Sequence, residues 1–147
     1  MSDSRTAPYG ALLLRLSLGA LFLAHGLLKL FVFTLPGTVK FFASLGYPAA
    51  LAYVVVSLEI LGGLLLLMGL FTRTTSLALI PVLIGALLVH LPNGWLFSAA
   101  NGGWEFPALW IVGLVVLAAT GDGALALAPT PISGAADDAR QGVGHAA

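Results

Sequence analysis

Residues 49–70 read AALAYVVVSLEILGGLLLLMGL, an apolar run whose one charged residue is Glu59. In lipid every backbone N–H and C=O must find its partner within the protein, so a run of this length crosses as a helix; roughly 20 residues suffice for a hydrocarbon core about 30 Å thick. Three more runs of the same character lie at about 10–33, 75–91 and 106–120. The expected architecture is therefore all-α, a membrane bundle of four transmembrane helices. The last two runs are short, and neighbouring residues or local bilayer thinning would accommodate them. The first holds Arg15 and Lys29 and ends without a small-residue cleavage pattern, so it reads as an uncleaved helix.

Composition agrees with this reading. With 59% hydrophobic and 8% charged residues and a mean hydropathy of +1.04, the chain lacks the polar surface of a soluble domain. Six cationic and six acidic residues cancel, which leaves no basic field for nucleic acid. The absence of cysteine excludes disulfides, thiolate metal sites and persulfide chemistry on the protein itself.

The connections differ in kind. Residues 34–48, TLPGTVKFFASLGYP, place Val39, Phe41, Phe42 and Leu45 on one side of a short interfacial helix, with Lys40 toward the headgroups and Gly46 suited to its end. The link at 71–75, FTRTT, is so short that the second and third spans must be antiparallel neighbours, with a threonine suited to capping the third. The stretch 92–104 carries Asn93-Gly94 and Asn101-Gly102-Gly103 turn signals, with Trp95, Phe97 and Trp104 as an interfacial belt. Arg5, Arg15, Arg73 and Arg140 fall on the side of the termini against Lys29 and Lys40 on the other, which puts both termini in the cytoplasm. The organisation is then a cytoplasmic segment 1–9, a membrane domain 10–125 and a tail 126–147, which is rich in Ala, Gly and Asp and expected to be disordered, with His145 a solvated end residue.

Ionisable residues inside a bilayer are costly, roughly 3 kcal/mol each at the centre on insertion scales, so they pair, line cavities or carry function. In an antiparallel bundle His25 lies about 9 Å inside the outer end of the first span and Glu59 about 14 Å down the second, at similar levels. Lys29 shares a helix face with His25, and His90 and Glu105 enter from the outer ends of the third and fourth spans. One outward-opening polar pocket is the expectation, with Glu59 and His25 as proton-handling groups and Lys29, His90, Asn93, Trp104 and Glu105 as binding groups. Each has a plainer alternative. Glu59 can be a packing partner of His25 or Lys29, and Lys29 and Arg15 can snorkel to the interfaces. Glu105 can complement the helix dipole beside Pro107, Trp104 can anchor the interface, and Pro81 can kink its helix for packing alone. No ligand spacing recommends a metal among His25, Glu59, His90 and Glu105, and haem between His25 and His90 leaves Glu59 unexplained.

Arg15-Leu-Ser-Leu-Gly19, Phe22, His25-Gly26, Lys29, Glu59-Ile-Leu-Gly62-Gly63, Gly69-Leu-Phe-Thr-Arg73, His90, Asn93-Gly94 and Trp104-Glu105-Phe106 stand as spaced polar and glycine positions on an apolar background. Over residues 10–125 this pattern resembles the DoxX family of small bacterial membrane proteins. The resemblance implies a four-helix fold in the cytoplasmic membrane and a link to quinone-dependent oxidation or oxidative-stress metabolism. On that footing the pocket would bind a quinone or similar apolar redox molecule, with His25 or His90 donating to a ring carbonyl. Neither a flavin nor an iron–sulfur motif is visible, so electrons would come from a separate redox partner protein. A homo-oligomeric proton-coupled carrier of a small organic or sulfur-containing solute and a scaffold subunit are the alternatives from other classes.

Overall fold

The computed structural model describes residues 5–128. Helix α1 (Ala7–Leu27) continues without a break into a π-helical turn at Leu28–Val32. It is followed by α2 (Leu35–Ser44), α3 (Ala49–Met68), α4 (Thr72–His90) with a 3-10 turn at Leu91–Asn93, and α5 (Glu105–Thr120). Ala7–Val32, Ala49–Met68 and Thr72–Asn93 are long and apolar enough to cross a membrane. The fourth expected span, α5, is apolar but only 16 residues long, about 24 Å of rise, so it spans fully only where the bilayer thins.

Side chains are distributed as lipid solvation demands. Arg15, Thr38, Glu59, Thr72 and Ser76 are buried, while Phe31, Leu61, Leu77, Leu109 and Val112 are exposed. A water-soluble bundle has the opposite pattern. The interior is held by Phe22, Leu66, Leu79, Leu83, Trp110, Leu114 and Leu117, one contiguous cluster drawn from four helices.

Helices α1 and α3 meet through glycine. A Cβ on Gly63 would lie 2.6 Å from the Leu23 backbone nitrogen and 2.9 Å from the Gly19 carbonyl oxygen. A Cβ on Gly26 would lie 2.6 Å from Ile60 Cγ1 and 3.2 Å from Glu59 Cβ. Apolar side chains gain nothing by leaving lipid for one another, so close backbone approach through small residues supplies the packing attraction. That approach also sets Lys29, in the π-helical turn that continues α1, opposite Glu59 of α3.

The end of the bundle that carries the termini is closed by two arginines. Arg15 is 1% exposed, and its guanidinium donates to the Leu66 carbonyl at 3.1 Å, the Leu67 carbonyl at 3.4 Å and the Ala124 carbonyl at 3.1 Å. Arg73 donates to the Ala118 and Ala119 carbonyls at 2.8 and 3.1 Å. The last carbonyls of a helix have no intrahelical donor, and each arginine supplies one, to α3 and to α5. Snorkelling of Arg15 to the interface is thus corrected, because its guanidinium is turned inward onto these carbonyls. Gly69, at φ 68°, lets the guanidinium pass; a Cβ there would overlap Arg15 Nη1.

A second correction concerns the start of α4. Its N-cap is Phe71, in the left-handed region at φ 49°, and no side chain caps it. The turn at Gly69 is so tight that the helix begins at Thr72, which leaves Thr75 a full turn inside. Past α5 the chain folds back, with Ala124 N–H on the Pro8 carbonyl at 2.9 Å, Leu127 N–H on Met68 at 3.1 Å and Ala128 N–H on Gly69 at 3.3 Å. The packed chain therefore continues beyond the expected boundary at residue 125. The rest of the expected tail, with Arg140 and His145, lies outside the described residues.

Candidate functional site

At the opposite end α3 and α4 stand apart, and a cavity of about 470 Å³ lies between them. Nearer the Gly69 turn the two helices touch, and a Cβ on Gly62 would lie 2.8 Å from Leu79 Cδ2. Beyond that contact Pro81 interrupts the backbone ladder of α4, and Gly85 follows with open space where its Cβ would be. Both residues line the cavity. Val54, Val55 and Leu58 of α3, Phe41 and Phe42 of α2 and Phe106 of α5 make most of the wall apolar. Pockets of a few hundred cubic ångströms with apolar walls and a few placed polar groups are the usual form of a small-molecule site.

The polar side of that wall is an ion pair. Lys29 Nζ lies 2.8 Å from Glu59 Oε1 and 2.7 Å from Oε2, with the carboxylate side chain only 7% exposed. Two charges taken out of water hold together only when the geometry is good, and here both oxygens of the carboxylate face one ammonium. Lys29 sits in the π-helical turn, where Phe33 N–H reaches back five residues to the Leu28 carbonyl at 3.0 Å. The Lys29 carbonyl is thereby left without its usual donor, and Thr38 Oγ1 of α2 donates to it at 3.0 Å. The wide turn and the interfacial helix form one unit. Thr34, at φ 60°, turns the chain into α2 and accepts from Gly37 N–H through its own hydroxyl at 3.3 Å.

Two histidines complete the site. His25 Nδ1 lies 2.9 Å from the Leu21 carbonyl, and its ring meets Trp110 edge-on at 4.9 Å between centroids. His90 Nδ1 lies 3.0 Å from the Asn101 carbonyl and 3.3 Å from that of Gly102. Since a carbonyl only accepts, Nδ1 carries the proton in both rings, and in the neutral ring Nε2 is then an acceptor.

His25, Lys29, Glu59 and His90, from α1, α3 and α4, all line the cavity. Asn93, Trp104 and Glu105 stand outside it, bound into the 91–104 connection. Asn93 Nδ2 donates to the Asn101 carbonyl at 3.1 Å, Glu105 Oε1 accepts the Phe97 N–H at 2.7 Å, and Trp104 packs edge-on to Trp95 at 4.4 Å. Their polar atoms are used in shaping the connection that holds His90. Among the described residues no three His, Asp or Glu side chains gather closely enough for a metal ion.

Trp110, Thr38 and Gly85 were not legible as site residues. Trp110 is 6% exposed, lines the cavity between His25 and Phe106, and has an indole N–H with no acceptor. Its signal is a tryptophan in the middle of a span rather than at an interface, one turn after Pro107 on the buried stripe that continues to Leu114 and Leu117. For Thr38 the sequence offers none, because its task depends on a π-turn.

The DoxX family model matches residues 10–98, well over half of the chain. The chain belongs to the DoxX family. The match takes in α1 to α4 and ends within the connection to α5, short of the 10–125 span of the resemblance. A longer likeness is to "Putative oxidoreductase CatD" of Bacillus subtilis (strain 168), 38% identical over 126 residues, which covers 85% of this chain and 89% of the relative. No solved structure matches this DoxX chain.

Proposed function

We propose that this DoxX protein binds a quinone or comparable ring-shaped redox molecule in the cavity between α3 and α4, as the membrane subunit of an oxidoreductase. The observation that carries the reading is the Lys29–Glu59 pair on the wall of an otherwise apolar cavity of about 470 Å³. A purely structural pair would be packed on all sides, whereas this one borders space that an apolar molecule fits. The relative named as an oxidoreductase supports the same class.

The residues fit such a guest in specific ways. Phe41, Phe42 and Phe106 provide apolar and aromatic surface, and lipid-facing helices give access from the bilayer, where such molecules dissolve. Lys29 offsets negative charge on a ring oxygen, Glu59 and the two histidines exchange its protons, and a separate donor or acceptor protein handles electrons. Arg5, Arg15 and Arg73 on the side of the termini, against Lys29 and Lys40 on the other, favour both termini in the cytoplasm.

Extraction of gently purified protein under nitrogen, followed by mass spectrometry, tests this. A ring compound is expected from the wild type and is expected to be missing from Gly85→Leu, whose side chain would occupy the cavity. A wild-type protein that is stable, empty and unable to take up added benzoquinones would sink the reading.

A further inference from the structure

The cavity's hydrogen-bonding sense is set by backbone carbonyls outside it. Leu21 fixes the proton of His25 on Nδ1, and Asn101 with Gly102 fixes that of His90 on Nδ1. Turning either ring over would break those bonds. For His25 it would also disturb the edge contact with Trp110, itself wedged between Phe22 at 4.6 Å and Phe106 at 5.5 Å. His90 is held by two carbonyls at once, those of Asn101 and Gly102, and the Asn101 carbonyl is itself fixed by Asn93 Nδ2. With Nδ1 bonded to backbone, the remaining nitrogen of each ring, Nε2, is an acceptor in the neutral form.

Lys29 and Tyr47 do not discriminate between ligand oxidation states. The spare N–H of Lys29, beyond those turned to Glu59, donates equally to a carbonyl or a hydroxyl oxygen. The Tyr47 hydroxyl, also on the wall, can donate or accept. A ring carbonyl set against His Nε2 brings two lone pairs together, whereas a ring hydroxyl donates to it. The acceptor nitrogens distinguish the two forms and favour the hydroxyl, and the Glu59 carboxylate on the same wall leans the same way.

From this we infer that the cavity selects the reduced, hydroxyl-bearing form of an aromatic ring ligand, with His25 Nε2 and His90 Nε2 as the acceptors for its O–H groups. The inference rests on the ring-ligand reading above and reverses the expectation that these histidines donate to a carbonyl. Each such bond distinguishes a matched from a mismatched partner by about tenfold in affinity. A tenfold preference for the reduced form raises the two-electron potential of the bound ring by about 30 mV. The site therefore holds its ligand in the state that yields protons to Nε2.

The test uses the full-length protein in lipid nanodiscs, under nitrogen, with three probes of one ring size: a short-chain benzoquinol, the matching benzoquinone and the benzoquinol dimethyl ether. The benzoquinol is expected to bind at least tenfold tighter than the other two. His25→Phe, which keeps the ring packing on Trp110, is expected to narrow that preference several-fold by weakening the benzoquinol more than the benzoquinone. Benzoquinone binding as tight as the benzoquinol, or a preference unchanged in both His25→Phe and His90→Phe, overturns the inference and leaves the ring-ligand reading standing. If none of the three probes binds, the ring-ligand reading falls with it.

Discussion

Each end of the bundle holds a cation from the first span, Arg15 in α1 and Lys29 in the π-turn that follows it, and the two ends use it differently. Arg15 is enclosed, and its guanidinium donates to three backbone carbonyls, those of Leu66, Leu67 and Ala124. Lys29 is partly open to a cavity and faces a carboxylate across a glycine-lined crossing. The chemistry of the side chains suits the division, since the planar fork of arginine reaches several oxygens at once while a lysine ammonium is a compact charge. A cation enclosed against backbone carbonyls, with no cavity beside it, has nothing to offer a ligand. A cation balanced by a carboxylate at a cavity wall still acts on what enters.

That contrast can be broken at several points. Arg15→Met is expected to have the largest effect, a loss of about 3 kcal/mol or more, since it removes three hydrogen bonds from a charged donor at about 1.5–3 kcal/mol each. The yield of monodisperse protein and its thermal unfolding would show this, and the molecules that do fold should bind ligand normally. Should Arg15→Met fold well and lose binding, the assignment of the two ends is reversed. Lys29→Met is expected to cost about 3 kcal/mol by stranding the Glu59 carboxylate. The double change Lys29→Met with Glu59→Leu should recover most of that stability without recovering ligand binding. Recovery of both would mean that the pair serves packing alone.

Smaller changes sharpen the picture. Gly63→Ala places a methyl against the Leu23 backbone and should destabilise by about 2 kcal/mol, with lower ligand affinity as Lys29 and Glu59 move apart. Thr38→Val removes the donor to the Lys29 carbonyl, and about 1 kcal/mol of stability with it. A several-fold fall in affinity should accompany it, measured by ligand titration, and unchanged affinity would show that the π-turn holds Lys29 unaided. Gly85→Leu is expected to have the smallest effect on folding, a gain within about 1 kcal/mol from helix propensity, while abolishing ligand uptake. Destabilisation by this change would show that the space beside α4 is not open.

Several features were legible because they depend on local composition. Apolar runs located the three long spans and α5, glycines marked the close crossing of α1 and α3, and Gly46 marked the end of α2, where φ is +82°. His25, Lys29 and Glu59 stood out because ionisable side chains are rare at that depth. Asn93, Trp104 and Glu105 drew the same attention but point into their own connection, which spacing alone does not reveal. Trp110 was overlooked because an aromatic residue inside an apolar span looks like packing until a cavity is seen beside it.

The sequence by itself determined that this is a helical membrane protein of the DoxX type with charged groups inside the bilayer, because lipid solvation and backbone satisfaction act on every residue of a span alike. Only the tertiary structure decided which buried cation closes a helix end, which polar residues share a cavity and which nitrogen of each histidine carries its proton. Those choices are made by carbonyls and glycines from elsewhere in the chain, Leu66 and Ala124 for Arg15, Gly26 and Thr38 around Lys29, Asn101 for His90, brought together by helix crossings that no local pattern encodes.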